Sequence, residues 1–258
     1  MKSIKEKMLL PLLLVAVMSF GQNSIDDETG KTNSKFTLGV FGGLNIPSLS
    51  GGNDNELSRD FTSRAGGAFG FTSTLDLGSN FALRVDVLYS SEGGKRDGMQ
   101  AIDASSINPQ APSGAFYYAD FNNESILNYL EIPAMLKYNI PTGKSSNFYV
   151  DFGPYIGFLL NAKQKTSGSS PIYADREGTM PIAPTDQSFN DEADVTDSIN
   201  SVNFGLTGGV GYAQGVGFGH IFLEVRGAYG LTVVQKETEN GKSHIGNLLI
   251  ALGYSIPL

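Results

Sequence analysis

The sequence predicts an all-β protein, an eight-stranded antiparallel up-and-down transmembrane β-barrel with short periplasmic turns and long extracellular loops, on three observations. Apolar side chains alternate with small or polar ones over eight separate segments, which is the period of a strand. The connections between those segments alternate between short and long. The long apolar run near the N-terminus has no later counterpart, so no transmembrane helix is expected.

Composition narrows the function classes. Only 17% of the 258 residues are charged and 32 are Gly, with no Cys and no Trp. Glycine in this amount without a three-residue period argues against collagen, and the missing Cys excludes disulfide scaffolds and Cys-ligated zinc modules. The formal net charge of −8 makes a nucleic-acid partner a poor expectation, because phosphate binding needs clustered Lys and Arg.

Lys2, Lys5 and Lys7 precede an apolar run over residues 8–20, and small Ser19 and Gly21 stand before Gln22. That arrangement predicts a signal peptide over residues 1–21, cleaved between Gly21 and Gln22. The run is shorter than the roughly 20 residues a spanning helix needs. With no Cys after it, a lipid-modified N-terminus is excluded. A short polar segment, 22–34, then leads into a barrel domain expected over 35–258.

The eight strands follow in order. Residues 35–45 and 67–77 alternate weakly. In 81–89, Phe81, Leu83, Val85, Val87 and Tyr89 share one face while Ala82, Arg84 and Asp86 take the other. In 130–140, Leu130, Ile132, Leu136, Tyr138 and Ile140 oppose Glu131, Lys137 and Asn139. In 147–162, Phe148, Val150, Phe152, Ile156, Phe158 and Leu160 oppose Tyr149, Asp151, Gly153, Gly157 and Asn161. Residues 202–213 alternate weakly. Next, Ile221, Leu223, Val225, Tyr229 and Leu231 oppose Glu224, Arg226 and Thr232, and 248–258 closes the set. Pro257 cannot donate a ladder hydrogen bond, which predicts a place just beyond the pairing. Short Gly-, Asn-, Ser- or Pro-rich turns fall at 78–80, 141–146 and 214–218; long polar, unstructured loops are expected at 46–64, 92–125 and 163–200, with a shorter one at 235–243.

Two features point the apolar face at lipid. The other face is rich in Gly, Ala, Ser and Thr, as the narrow interior of an eight-stranded barrel requires. A water-facing exterior would carry far more Lys and Glu. Aromatics also gather at two levels, with Phe81, Tyr138, Phe148, Tyr212 and Tyr254 near the short turns and Tyr89, Phe158 and Tyr229 near the long loops. Together they form a candidate aromatic girdle. The lumen then holds Asp76, Arg84, Asp86, Glu131, Lys137, Asp151, Glu224 and Arg226. Unpaired charge in a low-dielectric interior costs several kcal/mol, which predicts a salt-bridge network plugging the lumen rather than an ion path.

Five segments, Leu88-Tyr-Ser-Ser-Glu-Gly-Gly-Lys95, Tyr129-Leu-Glu-Ile-Pro133, Phe152-Gly-Pro-Tyr-Ile-Gly-Phe158, Phe222-Leu-Glu-Val-Arg226 and Ala251-Leu-Gly-Tyr254, occur in this order. Together, over residues 35–258, they resemble the PorT-like outer-membrane β-barrel family of Bacteroidota. The resemblance implies an eight-stranded barrel in the cell outer membrane, a founding member tied to protein secretion, and no catalytic residues. Chains of this type usually end in an aromatic residue; here the end is Ile256-Pro257-Leu258, with Tyr254 the nearest aromatic.

The remaining motifs carry little chemistry. Gly143-Lys144-Ser145 has Tyr138 where a phosphate loop needs its first Gly, and reads as a turn. Glycines 208, 209, 211, 215, 217 and 219 miss dinucleotide spacing and read as lumen packing and turns. His220 and His244 are the two histidines, and only His244, near the long loops with Asp191, Glu192 and Asp194 in the preceding loop, could serve a rim hydrolase; no known constellation is visible. The acidic stretch 186–197 lacks the spacing of an EF-hand calcium loop and reads as a solvated surface. Phe116-Tyr-Tyr118 and Phe121 are expected to fold over the barrel mouth rather than to contact a partner. No cofactor, metal site or enzymatic activity is expected. The expected partners are outer-membrane lipid, the barrel-assembly machinery during biogenesis, and an envelope or secretion protein reached through the loops. A secretion accessory, a small pore and a soluble ligand-binding barrel are the alternatives.

Overall fold

A computed structural model describes residues 35–52, 54–237 and 241–258. The expected signal peptide and the 22–34 segment lie outside the described residues. Among the described residues the strands are β1 (Phe36–Ser50), β2 (Gly66–Gly78), β3 (Phe81–Arg96), β4 (Met99–Asp103), β5 (Phe116–Asp120), β6 (Asn122–Pro141), β7 (Ser146–Ser167), β8 (Ser169–Tyr173), β9 (Pro181–Ser188), β10 (Asp191–Asp194), β11 (Val202–Val216), β12 (Gly219–Gly230) and β13 (His244–Pro257). β7, β11, β12, β13, β1, β2, β3 and β6 pair in that order, and β6 pairs back to β7. The result is a closed eight-stranded antiparallel barrel, and closure leaves the barrel itself without an edge strand.

Side-chain alternation explains why these segments close with the apolar face outward. Val40, Phe71, Leu83, Leu136, Phe152, Val210, Leu223 and Leu252, one from each barrel strand, are all exposed, and Phe71 is 70% so. Their inward neighbours Phe41, Thr72, Arg84, Met135, Asp151, Gly211, Glu224 and Ala251 are buried. A continuous apolar shell of this size does not persist in water. The expected aromatic levels form on that shell: Phe81 against Tyr138 (5.0 Å between ring centroids) and Phe148 against Tyr212 (4.9 Å) near the short turns, with Tyr254 beside Phe218 (6.0 Å). Tyr89 stacks on Phe69 at 5.1 Å and Tyr229 on His244 at 5.9 Å near the long loops, where Phe158 is also exposed.

Glycine makes room for the aromatic rings inside. A Cβ at Gly211 would lie 2.2 Å from Cζ of Tyr149, and one at Gly253 would lie 2.3 Å from Cζ of Phe222. Each ring lies flat over a neighbouring strand that carries no side chain at that point.

The structure corrects four expectations. β6 and β7 run to 20 and 22 residues. At about 3.3 Å per residue this is roughly twice what a tilted strand needs to cross a bilayer, so the hairpin stands well above the lipid. Second, the long connections are ordered rather than unstructured: β4, β5, β8 and β9 form a separate four-stranded sheet and β10 pairs with β7. Third, the β6–β7 register shifts between Asn128, opposite Asn161, and Tyr129, opposite Leu159. This bulge reverses the parity of β7. Asn161 therefore leaves the lumen face; it accepts from Asn128 (2.9 Å), which in turn takes the hydroxyl of Tyr89 (2.8 Å).

Fourth, Pro257 is inside the ladder, opposite Thr37, and Leu258 N donates to Phe36 O at 2.9 Å. Alternate residues of a strand bond to opposite neighbours. The N–H that Pro257 lacks would face β12, whose pairing with β13 ends at Ser255, so its loss costs no ladder bond.

Candidate functional site

The lumen is layered from the short-turn end upward. A polar vestibule of about 170 Å³ comes first, lined by Thr74, Asp76, Lys137, Asn139, His220 and Ser255 among others. Above it β3, β7 and β12 bring five ionic side chains together. Arg84 Nε donates to Asp86 (3.0 Å) and to Thr72 (3.1 Å), and its Nη1 donates to Asp151 (2.9 Å) and Glu224 (2.5 Å). Arg226 donates to Glu224 (2.6 Å) and Asp86 (2.7 Å). Tyr149 donates its hydroxyl to Glu224 at 2.8 Å, and the Phe41 ring faces both guanidinium carbons, 6.0 Å from Arg84 and 5.7 Å from Arg226. In the ring of eight strands β3 and β12 are diametrically opposite. The Arg84–Glu224 and Arg226–Asp86 bonds therefore cross the full width of the lumen.

Of the eight lumen charges expected from sequence, the structure interlocks five: Arg84, Asp86, Asp151, Glu224 and Arg226. Lys137 is inward but lower, with Nζ 3.8 Å from the centroid of the Tyr149 ring. Glu131 lies higher, buried beside a small cavity that Arg226, Asn45 and Tyr155 also line. Asp76 is outside the network: it has lumen parity, yet it is exposed at the open end of β2, where its carboxylate accepts from Gly78 N at 2.7 Å. There the turn leaves water to solvate it.

Sequence reasoning missed Glu92, which is fully buried in the next layer. Its Oε1 accepts from Asn45 (2.9 Å), Asn247 (2.8 Å) and Ser90. Glu92 follows the last residue of obvious alternation, Tyr89, so it reads as loop in one dimension. Above it an apolar layer closes the barrel, made by Leu49, Leu127, Tyr129, Ala162, Ile199, Val234 and Ile245. Ile199 and Val234 come from the long connections, so the loops supply the top of the core.

Between that layer and the loop sheet lies a chamber of about 460 Å³. Phe121 lines it, 8% exposed, and stacks on Phe189 at 4.7 Å. Phe121 thus folds over the mouth as expected. Phe116, Tyr117 and Tyr118 instead form β5, half-buried in the outer sheet.

The candidate rim hydrolase does not assemble. His244 Nδ1 contacts Gly230 O (3.1 Å) and its ring stacks on Tyr229. Glu192 is engaged by Lys163 (2.6 Å) and Lys165 (3.2 Å), and Asp194 accepts from Thr196 N (2.9 Å). Lys163 and Lys165 hold the Glu192 carboxyl below its ordinary range, the hydrogen bond from Lys163 acting most strongly.

A closed barrel of eight strands, apolar to the outside, aromatic at two levels and ionic at its centre, is an outer-membrane β-barrel. Residues 20–235 match the model of the family described as outer membrane protein beta-barrel domain, and the chain belongs to that family. Its place is the outer membrane. Among solved structures the chain is similar to Neisserial surface protein A, with 14% identity over 87% of this chain and 98% of that one (TM-score 0.43). It is also similar to the attachment invasion locus protein Ail of Yersinia pestis, at 9% identity over 86% and 99% (TM-score 0.40), and to OprG of Pseudomonas aeruginosa, at 10% over 87% and 98% (TM-score 0.40). No curated protein matches the chain in sequence.

Proposed function

We propose that this outer-membrane barrel is a non-enzymatic surface protein that presents its ordered loop sheet to an envelope or extracellular protein, with a plugged rather than conducting lumen. The carrying observation is apolar surface where no lipid can cover it. Met180 is 57% exposed and Ile182 on β9 is 46% exposed, both in the connection that β6 and β7 hold above the bilayer. Exposed apolar side chains of this size, Ile182 on the sheet and Met180 just before its strand, are the usual core of a docking patch. The cross-lumen ion network and the apolar layer above it support the plug.

The test is a photo-crosslinking residue placed at Ile182 in the full chain in living cells. A discrete protein adduct at Ile182, absent with the same probe at lipid-facing Phe152, is the expected result. Adducts at neither position, or identical ones at both, would refute the docking role. Planar-bilayer recordings are expected to show no steady conductance.

The finer affiliation with PorT-like barrels of Bacteroidota belongs to the same reading, supported by the order of the five segments beginning at Leu88. It implies an accessory role in protein secretion or envelope assembly, and deletion is expected to cause a secretion defect. The mature chain is read as starting at Gln22, which N-terminal sequencing of the membrane-inserted protein checks.

A further inference from the structure

The chamber under the loop sheet has one feature that packing does not account for. Arg96, the last residue of β3, is only 7% exposed and lines it. All six arginines of the sequence are described, and five of them hold a carboxylate: Arg59 with Glu56, Arg64 with Glu124, Arg84 with three acids, Arg176 with Glu56 and Asp60, and Arg226 with Asp86 and Glu224. Among the described residues Arg96 has no ion pair. Its Nε is buried with no hydrogen-bond partner, and its one side-chain hydrogen bond runs from Nη1 to Arg59 O at 3.4 Å. The guanidinium carbon lies over the Phe61 ring, 4.8 Å from the centroid. A guanidinium does not lose its proton at any physiological pH, so among the described residues this cation has no carboxylate in contact, and Asp60 acts on it only through space.

The rest of the lining has an apolar majority, with Ser58, Asn123, Gln164 and Gln235 among its polar members. Leu57, Ile102, Phe121, Phe189 and Val195 contribute to the walls, and the volume of about 460 Å³ lies within the range of roughly 300–1,000 Å³ typical of small-molecule sites. A buried guanidinium with no carboxylate in contact, at the wall of a mostly apolar chamber, is the complement of an amphipathic anion.

We propose that this chamber binds a small apolar molecule carrying a single carboxylate, with Arg96 as its counter-ion and the Phe61 ring backing the guanidinium. The carboxylate would accept from the terminal Nη groups, in the charge-assisted geometry in which arginine is strongest. The hydrocarbon part would lie against Phe121, Phe189 and Val195. This proposal is independent of the docking role of the outer sheet, since the chamber is roofed by that sheet and does not use its exposed side.

The probe is octanoate carrying ¹³C at its carboxyl carbon, titrated against the full chain in lipid nanodiscs and read by NMR, with empty nanodiscs as the baseline. Octan-1-ol and octylammonium are the neutral and cationic controls. Saturable octanoate binding is expected, with a shift of the Arg96 Nε resonance that neither control produces. Arg96→Gln is expected to weaken octanoate about tenfold or more and to leave octanol unchanged, because it removes charge-assisted bonds and little volume. Arg96→Lys should recover part of the affinity. Val195→Trp, which takes up part of the chamber and keeps Arg96, should weaken octanoate binding. Retained gel mobility of the unboiled protein verifies that each variant is folded. Octanoate that never saturates beyond empty nanodiscs, or binds Arg96→Gln as well as the natural chain, overturns the proposal; so does octanol competing equally for the site.

Discussion

Replacing Arg84 by Gln removes the cation on which three carboxylates converge, and the surrounding bonds fix which of them suffers. Glu224 keeps Arg226 (2.6 Å) and the Tyr149 hydroxyl (2.8 Å), and Asp86 keeps Arg226 (2.7 Å). Asp151 loses its one bonded partner, because its Oδ2 receives Arg84 alone and its Oδ1 has none. Stranding a buried charge costs about 3–5 kcal/mol. The barrel can escape by placing a proton on Asp151, which from an ordinary aspartate near 3.9 costs about 1.4 kcal/mol per pH unit. That sets a ceiling of about 4 kcal/mol at pH 7 and about 1.5 kcal/mol at pH 5. Lys137 stands directly opposite Asp151 in the β6–β7 ladder and is the side chain placed to take over. The double variant Arg84→Gln/Lys137→Gln should therefore reach the ceiling if the single one falls short of it. The assay is urea-dependent folding into lipid vesicles at pH 7 and pH 5, scored by gel mobility because the chain has no Trp to report by fluorescence. A loss below about 0.5 kcal/mol at pH 7, or one that does not shrink by pH 5, would refute the reasoning, since a stranded carboxylate must show both effects.

Phe152→Arg puts a charge on the lipid face and should cost about 2–4 kcal/mol near the midplane. Thr207→Val in the lumen, which loses a hydroxyl bond to Gly227 O (3.0 Å), should cost about 1 kcal/mol in the same assay. Gly211→Ala drives a Cβ into the Tyr149 ring and should cost about 1–3 kcal/mol by overpacking. Gly67→Ala, with nothing within 4 Å, should be neutral, and comparing the two by urea midpoint checks the ring-over-glycine packing. In the loops, the hydrogen bond from Arg176 chiefly, and Arg59 with it, hold the Asp60 carboxyl below its ordinary range. A depressed acid stabilises the folded contact above its unfolded value and loses that contribution as pH falls through the folded one. The Arg176 guanidinium resonance should therefore change only below about pH 4 and stay flat from pH 5 to 8.

Strand number, facing and both aromatic levels were legible because a lipid shell imposes an unambiguous period: Phe81, Leu83, Val85 and Val87 can face only hydrocarbon. The signal ends where the lipid ends. Above Tyr89 on β3 and Leu160 on β7 both faces meet water or loops, and Glu124, Asn128, Lys163 and Lys165 look like loop although the ladder continues through them. Glu92 and the strands of the loop sheet therefore carry no strand signature in the sequence. The bulge at Leu159 was equally hidden, since no composition marks an inserted residue. Asp76 stays outside the network for the opposite reason: it lines the lumen vestibule as its parity implies, but parity carries no information on height along the barrel. The chamber needed coordinates altogether, because Leu49, Arg96, Phe121, Phe189 and Val234 come from five separate stretches.

The ion network has a consequence for how the barrel chooses its register. Slipping one strand by a single residue turns every apolar side chain inward and is excluded by the lipid shell alone. A slip of two residues restores the facing and leaves the shell intact, so hydrophobic pattern cannot distinguish it. It would, however, carry Glu224 and Arg226 about 7 Å along the lumen, away from Arg84 and Asp86 on the opposite wall. The cross-lumen bonds at 2.5 and 2.7 Å would break, leaving Arg84 only Asp86 and Asp151 and leaving Arg226 only Glu224 of its own strand. Apolar filling could give equal stability, as buried ion pairs often confer no net gain. It could not penalise the two-residue slip so steeply, because one aliphatic contact substitutes for another. Charges that pair across the diameter tie β3 to β12, strands that share no ladder, and so fix the stagger of the whole ring where backbone hydrogen bonds act only between neighbours.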